Sequence, residues 1–273
     1  APAEPALALD FVGLPTLGPA AVHEGWAIVD SAALTTGRFL IDESGAIVDE
    51  AGAAIESFPV DATTASAFIL TIEPADDPDP GPSETHIVGG DFVDGVAELN
   101  IAHPGALGTD FAEAAGSVEV AVPTARELPG AETSGIWFFT EGSGSLTIPV
   151  LPAGWVYEGW TVFEGIPVST GRFLDPNAED DNRQYSGDGN GPATPGEDFI
   201  RNAPEGLTFP TTVGGTTVVV TVEPDPDDSP GPFSIKPLGV ELPDEVAPFQ
   251  EFDLVNLGAD TYPTGTATAI PGG

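Results

Sequence analysis

The chain has 273 residues, room for one large domain or two ordinary ones, and 41% of them are hydrophobic, so wholesale disorder is excluded. Its 44 acidic residues against 6 basic ones give a formal net charge of -38. Such a surface repels phosphate backbones and anionic lipid, which excludes nucleic acid and membrane surfaces as expected partners. Cysteine is absent, so neither disulfides nor thiolate zinc ligands contribute.

From the start of the chain, APAEPALALD reads as the beginning of a mature secreted protein. In PALALDFVGL small and large apolar residues alternate. Ala6, Leu7, Ala8, Leu9 and Phe11 therefore suit either the first strand of their own domain or a strand that completes a neighbour's sheet. The second arrangement is head-to-tail and propagates into a fibre.

The next stretch, HEGWAIVDSAALTTGRF (23–39), returns 134 positions later as YEGWTVFEGIPVSTGRF (157–173). FVGLPTLGPAAV (11–22) aligns with LTIPVLPAGWV (146–156) in the same frame, which sets Pro15 on Pro149 and His23 on Tyr157. FILTIEPADDPDPGP (68–82) matches VVVTVEPDPDDSPGP (218–232) at a spacing of 150, so the second copy carries 16 extra residues. They belong to the polar Gly/Pro/Asp stretch 175–198, which has the composition of a loop. Segments such as GSVEVAVPT, SGIWFF and TTVVVTVE are short, β-branched or aromatic, and bounded by Gly and Pro. With 34 Gly and 29 Pro, helix is confined to single turns at 61–68 and 110–117. The expected fold is all-β: two tandem, duplicated, Ig-like β-sandwich domains over 1–141 and 142–273. The second carries the loop 175–198 and a C-terminal strand tail.

The EGW…STGRF hairpin, followed by a strand ending in (I/V)EP and a Pro-rich acidic turn, resembles the extracytoplasmic domain of anti-sigma-K-type factors. It is closer still to uncharacterised secreted or lipid-anchored proteins with two such units. Pro82-Ser83 with Thr85-His86, Ala106 to Phe111, and Ser134 to Phe138 match those proteins as well. The resemblance implies a β-sandwich without known enzymatic activity. The family's sigma-binding segment and membrane span have no counterpart in these residues, so it carries over the module and not the signalling role.

Within each hairpin, Glu24 falls opposite Arg38 and Glu158 opposite Arg172, giving either an intrachain staple or an anion anchor. Trp26, Trp160, Phe39 and Phe173 are expected in the sheet interiors, with the Trp on the face opposite the Glu–Arg pair. Acidic loops follow both (I/V)EP strands: Asp76, Asp77 and Asp79 after Glu73, and Asp225, Asp227 and Asp228 after Glu223. The inserted loop adds Asp175, Glu179, Asp180, Asp181 and Asp188, hard oxygen donors that suit Ca2+ if they converge and are solvated if they do not. His23, His86 and His103 lie in unrelated contexts, and no hydrolase or phosphate-cradling motif is present. The chain is therefore expected to be non-enzymatic and to need no cofactor. Acidity with a single lysine, Lys236, points to concentrated salt or to a cation-binding coat. The expected role is an extracellular structural subunit that assembles with itself, or else a soluble ligand-binding or sensor module.

Overall fold

In the computed structural model, which describes residues 3–140, 142–226 and 229–273, strand accounts for 40% of residues and helix for 2%, so the fold is all-β. The first half supplies β1 (Ala6–Val12), β2 (Ala21–Val29), β3 (Ala32–Ile41), β4 (Ile47–Val48), β5 (Ala67–Pro74), β6 (His86–Val93) and β7 (Val96–Asn100). β8 (Ser117–Val120), β9 (Gly135–Trp137), β10 (Phe139–Thr140) and β11 (Ser143–Gly144) follow. The remainder contains β12 (Trp155–Phe163), β13 (Ile166–Phe173), β14 (Gly196–Asp198), β15 (Thr217–Pro224), β16 (Leu238–Glu241), β17 (Glu251–Asp253), β18 (Val255–Asn256) and β19 (Thr264–Ile270). Helix is reduced to a 3-10 turn, Pro123–Ala125, and one turn of α1 (Gly258–Thr261). The helical turns expected at 61–68 and 110–117 do not form: 61–66 and 110–116 are loop that runs into β5 and β8, their Ala content outweighed by flanking Thr, Gly and Asp.

The two hairpins fold as their alternation requires. Asp30 and Ser31 in the first, and Glu164 and Gly165 in the second, have φ of 49°, 66°, 49° and 85°. This left-handed pair matches the twist of a two-residue hairpin. Both hairpins contain one irregularity at the same place, between Gly25 and Trp26 and between Gly159 and Trp160. Gly37 and Gly171, with φ of 111° and 119°, supply the backbone opposite it. In each unit the hairpin pairs with the (I/V)EP strand and that strand with the next, giving β3-β2-β5-β6 and β13-β12-β15-β16. Duplication therefore extends to strand order.

Outside that shared block the units differ. The first is one curled antiparallel sheet in the order β1-β19-β7-β6-β5-β2-β3-β4. Its ends approach through Leu7, which exchanges backbone hydrogen bonds of 2.9 and 2.8 Å with Phe58, beyond β4. The second unit packs β13-β12-β15-β16-β18 against a four-stranded sheet, β14-β9-β8-β17. Val118, Val120, Ile136 and Phe138 meet Tyr157, Phe173, Val218 and Val220 in a core continuous with that of the first unit. These pairings do not divide the chain at 141/142. β8 and β9 belong to the second unit's sheets, and β19 returns to the first unit between β1 and β7.

Phe39 is buried where its ring meets His23, Phe11 and Phe58 at centroid distances of 5.6, 5.9 and 5.6 Å. It joins the hairpin to both ends of the curled sheet. Phe39→Ala is expected to cost ~3–5 kcal/mol, measured as a lower urea midpoint with an unchanged far-ultraviolet spectrum.

Candidate functional site

The repeated motif builds a buried polar relay rather than a reactive centre. Trp26 Nε1 donates to Thr71 Oγ1 at 2.9 Å, Thr71 donates to Glu73 Oε1, and the Ser83 amide reaches the same oxygen at 2.9 Å. In the second copy Trp160 donates to Thr221 at 3.0 Å, Thr221 to Glu223, and the Phe233 amide to Glu223 Oε1 at 2.9 Å. The T-(I/V)-E-P motif is thus explained: the Glu fastens the far side of each acidic loop to the sheet. Trp26 and Trp160 are buried, as are Phe39 and Phe173. The Trp residues, however, lie on the same face as Glu24 and Glu158, not the opposite one, because residues two apart in a strand share a face. Phe39 and Phe173 belong to the main core and the Trp residues do not.

Glu24 is in register with Arg38, and Glu158 with Arg172. Arg38 Nε donates to Glu24 Oε2 at 2.8 Å, and its other end donates to the Ala75 carbonyl at 3.2 Å. Arg172 departs from this: its Nε donates to Asp181 Oδ2 at 3.0 Å, with Asp225 at 3.7 Å. Burial works against the Arg172 charge, but Asp181, Asp225 and Glu158 together raise its pKa. The inserted loop has redirected the second staple, and neither Arg is left open for an anion.

Other acids of the inserted loop are also engaged separately. Asp175 accepts from the Asn177 amide at 2.9 Å, Asp188 pairs with Arg201 at 2.7 Å, and Glu179 is exposed. Asp180 accepts from the Gly196 and Asn182 amides at 2.7 and 2.9 Å. Among the described residues no three His or acidic side chains converge as a metal site. Asp77 reaches Arg38 at 4.0 Å, Asp79 turns back on Gly81, and Asp227 and Asp228 lie outside the described residues. Asp76, beside Asp77, is exposed. Ala6, Leu7, Ala8, Leu9 and Phe11 pair with β19 of the same chain, Ala6 opposite Ile270 and Phe11 opposite Gly265.

His23 and Tyr157 hold equivalent places. His23 Nε2 meets the Pro15 carbonyl at 3.0 Å and Tyr157 donates to the Pro149 carbonyl at 2.8 Å, each ring stacked on the hairpin Phe. Burial lowers the His23 pKa to about 4, only partly opposed by Pro15. His86 and His103, despite unrelated sequence contexts, anchor one turn: His86 Nδ1 meets Gly105 O at 2.8 Å and the Gly105 amide donates to His103 Nδ1 at 3.1 Å.

The inserted loop instead builds a second buried cluster and a cleft. Asp198 accepts from Trp137 Nε1 at 2.7 Å and from the Thr124 amide at 2.9 Å. Glu197 accepts from Ser186 Oγ and the Asp198 amide. Desolvation raises Glu197 to about 8 and Asp180 to about 7. Gly187 and Gly189 lie so close to the Thr124 carbonyl that a Cβ at either would meet it at 2.6 Å, which fixes the loop against the 3-10 turn.

Beside this contact lies a cleft of about 670 Å³. Ala121, Val122, Pro123 and Leu128 line it after β8, Phe139 from β10, Pro192 from the inserted loop, and Pro248 with Phe249 ahead of β17. Phe249 is 77% exposed, and its φ of 62° is a left-handed conformation that is costly for an aromatic residue. Arg126 also lines the cleft and, among the described residues, makes no hydrogen bond or ion pair, unlike Arg38, Arg172 and Arg201. Glu119, 8% exposed, also lines it. Sequence reasoning did not find these residues, which come from four separated segments. The one signal was the loop expansion that supplies a wall. No protein family, curated protein or solved structure matches this chain.

Because His23 refuses a proton in the folded state that it accepts when unfolded, stability falls as pH drops from 6.5 toward about 4. Asp180 and Glu197, with raised pKa values, act in the other direction, losing stability as pH rises through the folded values of about 7 and about 8. A comparison with His23→Tyr, the residue of the second copy, isolates the histidine. Thermal unfolding of the two proteins is expected to diverge by up to ~3 kcal/mol between pH 6.5 and 4, with the wild type losing more.

Proposed function

We propose that this is a secreted, non-catalytic binding module that holds an apolar small molecule in the cleft between the inserted loop and the outer face of β8. The cleft carries the reading. Its volume falls within the ~300–1,000 Å³ of small-molecule sites, its lining is mainly apolar, and few polar groups converge on it. An exposed aromatic residue in a strained conformation at its edge supports the same reading, since strain of that kind clusters at ligand clamps. The cleft also lies outside the duplicated block, where the two units have diverged. The histidines and the buried acids other than Glu119 have structural work: His23 fills the core, His86 and His103 fix a turn, and Asp198 holds Trp137. The acidic coat suits a high-salt extracellular setting, and the resemblance to extracytoplasmic sensor domains points the same way. No helix among the described residues is long and apolar enough to cross a membrane.

The test is titration with an environment-sensitive apolar dye in concentrated salt. Saturable binding is expected for the wild type, weakened about tenfold or more by Ala125→Trp, which fills the cleft. Equal binding by both proteins, or none by the wild type, overturns the reading.

Self-assembly by strand exchange remains a second reading, favoured by one observation: β1 is the terminal strand of its sheet and pairs with β19 alone over its length, apart from Leu7. The chain lacks cysteine, so Ala8→Cys with Thr268→Cys places one cross-link at a register pair. Strand exchange predicts a ladder of linked chains on a non-reducing gel. A single intrachain product overturns it.

A further inference from the structure

We infer that the cleft is selective for an amphipathic cation, an apolar body carrying one protonated amine, with Glu119 receiving the ammonium group. This rests on the cleft being a ligand site. Glu119 sits mid-strand in β8, with Val118 and Val120 turned into the core and its own side chain on the outer face. It is in register with Trp137 on one side and Glu251 on the other. The carboxylate is thus flanked by an indole and by a like charge. Glu251 is an acceptor, already bonded by Thr140, and Trp137 Nε1 donates to Asp198, so neither neighbour donates to Glu119. Glu119 itself has no hydrogen bond and no ion pair among the described residues; the residue is 8% exposed, and its carboxylate oxygens keep access to the cleft. Every other carboxylate buried to that degree among the described residues has donors: Glu24 from Arg38, Glu73 from Ser83, Glu158 from Ser169, Glu197 from Ser186, Asp198 from Thr124 and Glu223 from the Phe233 amide.

A partly desolvated carboxylate without a donor gains when a ligand brings both a positive charge and N–H donors. Desolvation, and then the Glu251 charge, raise the Glu119 pKa, the direction expected of a carboxylate lacking a counter-ion. Phe139 and Phe249, on the same cleft, offer ring faces to an ammonium group and apolar surface to the rest of the ligand. Arg126 presents the rival chemistry, a site for an anionic ligand. It is exposed, so it gains little from a counter-ion, whereas Glu119 is partly desolvated on the cleft wall.

The probes are decylammonium, decanol and decanoate, titrated separately by calorimetry below their aggregation limits in concentrated salt, where the general charge of the surface is screened. Decylammonium is expected to bind one site about tenfold or more tightly than decanol. Glu119→Gln should abolish that preference, bringing decylammonium down to the affinity of decanol. Glu56→Gln, an exposed acid of the first unit, should leave both as they were. Equal affinity for amine and alcohol, a preference that survives Glu119→Gln, or tighter binding of decanoate each overturns the inference and leaves the cleft as an apolar ligand site. Absence of saturable binding by all three probes, or binding unaffected by Ala125→Trp, overturns the ligand site along with it.

Discussion

The architecture depends on a carboxylate buried at the end of a strand and fastened from both directions. Glu73 and Glu223 each receive a Thr hydroxyl from their own strand and an amide from beyond the acidic loop. A charge in that position is costly unless it is hydrogen-bonded, so the loop must return to one place. Pro-rich acidic sequence would otherwise stay extended and solvated. By pinning the loop, the relay fixes the entrance to the next strand and hence the β5-β6 and β15-β16 pairings. The Trp that caps the relay is covered in the process, which is why a large aromatic side chain is buried outside the main core.

On that common frame the copies diverged by what was added. In the first, Arg38 closes on its own hairpin carboxylate. In the second, the longer loop brings Asp181 to both the backbone and the guanidinium of Arg172, and the staple becomes a clamp on the loop. The clamped loop then reaches across to Thr124 and Trp137, burying Asp198 and forming one wall of the cleft. A change of 16 residues therefore alters the outer face of a sheet that contains no part of the duplicated hairpin.

The hairpins were legible in the sequence because their information is local: alternation, a two-residue turn and a repeated frame determine that Glu24 meets Arg38. The face assigned to the Trp residues was misread, although the rule that corrects it is equally local, since Glu24 and Trp26 are two apart. The division of the chain was not legible. β8 and β9 find partners in β17 and β14, some sixty to more than a hundred positions away, and nothing in a four-residue strand such as SVEV names its partner. Among the described residues the acids of 175–198 do not converge, because Asp175, Asp180, Asp181 and Asp188 find backbone amides and guanidinium groups close at hand, each satisfying a carboxylate singly. The cleft lay beyond sequence reasoning for a related reason: Glu119 is conspicuous only for lacking a donor, and a missing contact leaves no pattern in a sequence.

The meeting of the chain ends has a mechanical consequence. Ala6 lies opposite Ile270, and the Gly273 amide donates to the Ala3 carbonyl at 2.9 Å, so both ends leave from the same corner of the curled sheet. Tension between them would load the β1–β19 ladder from one end and open its hydrogen bonds in sequence, as a zip, instead of shearing them all at once. The second unit, inserted between β7 and β19, would feel no pull until that ladder had gone. Under load the molecule is therefore soft at its seam and shielded at its cleft.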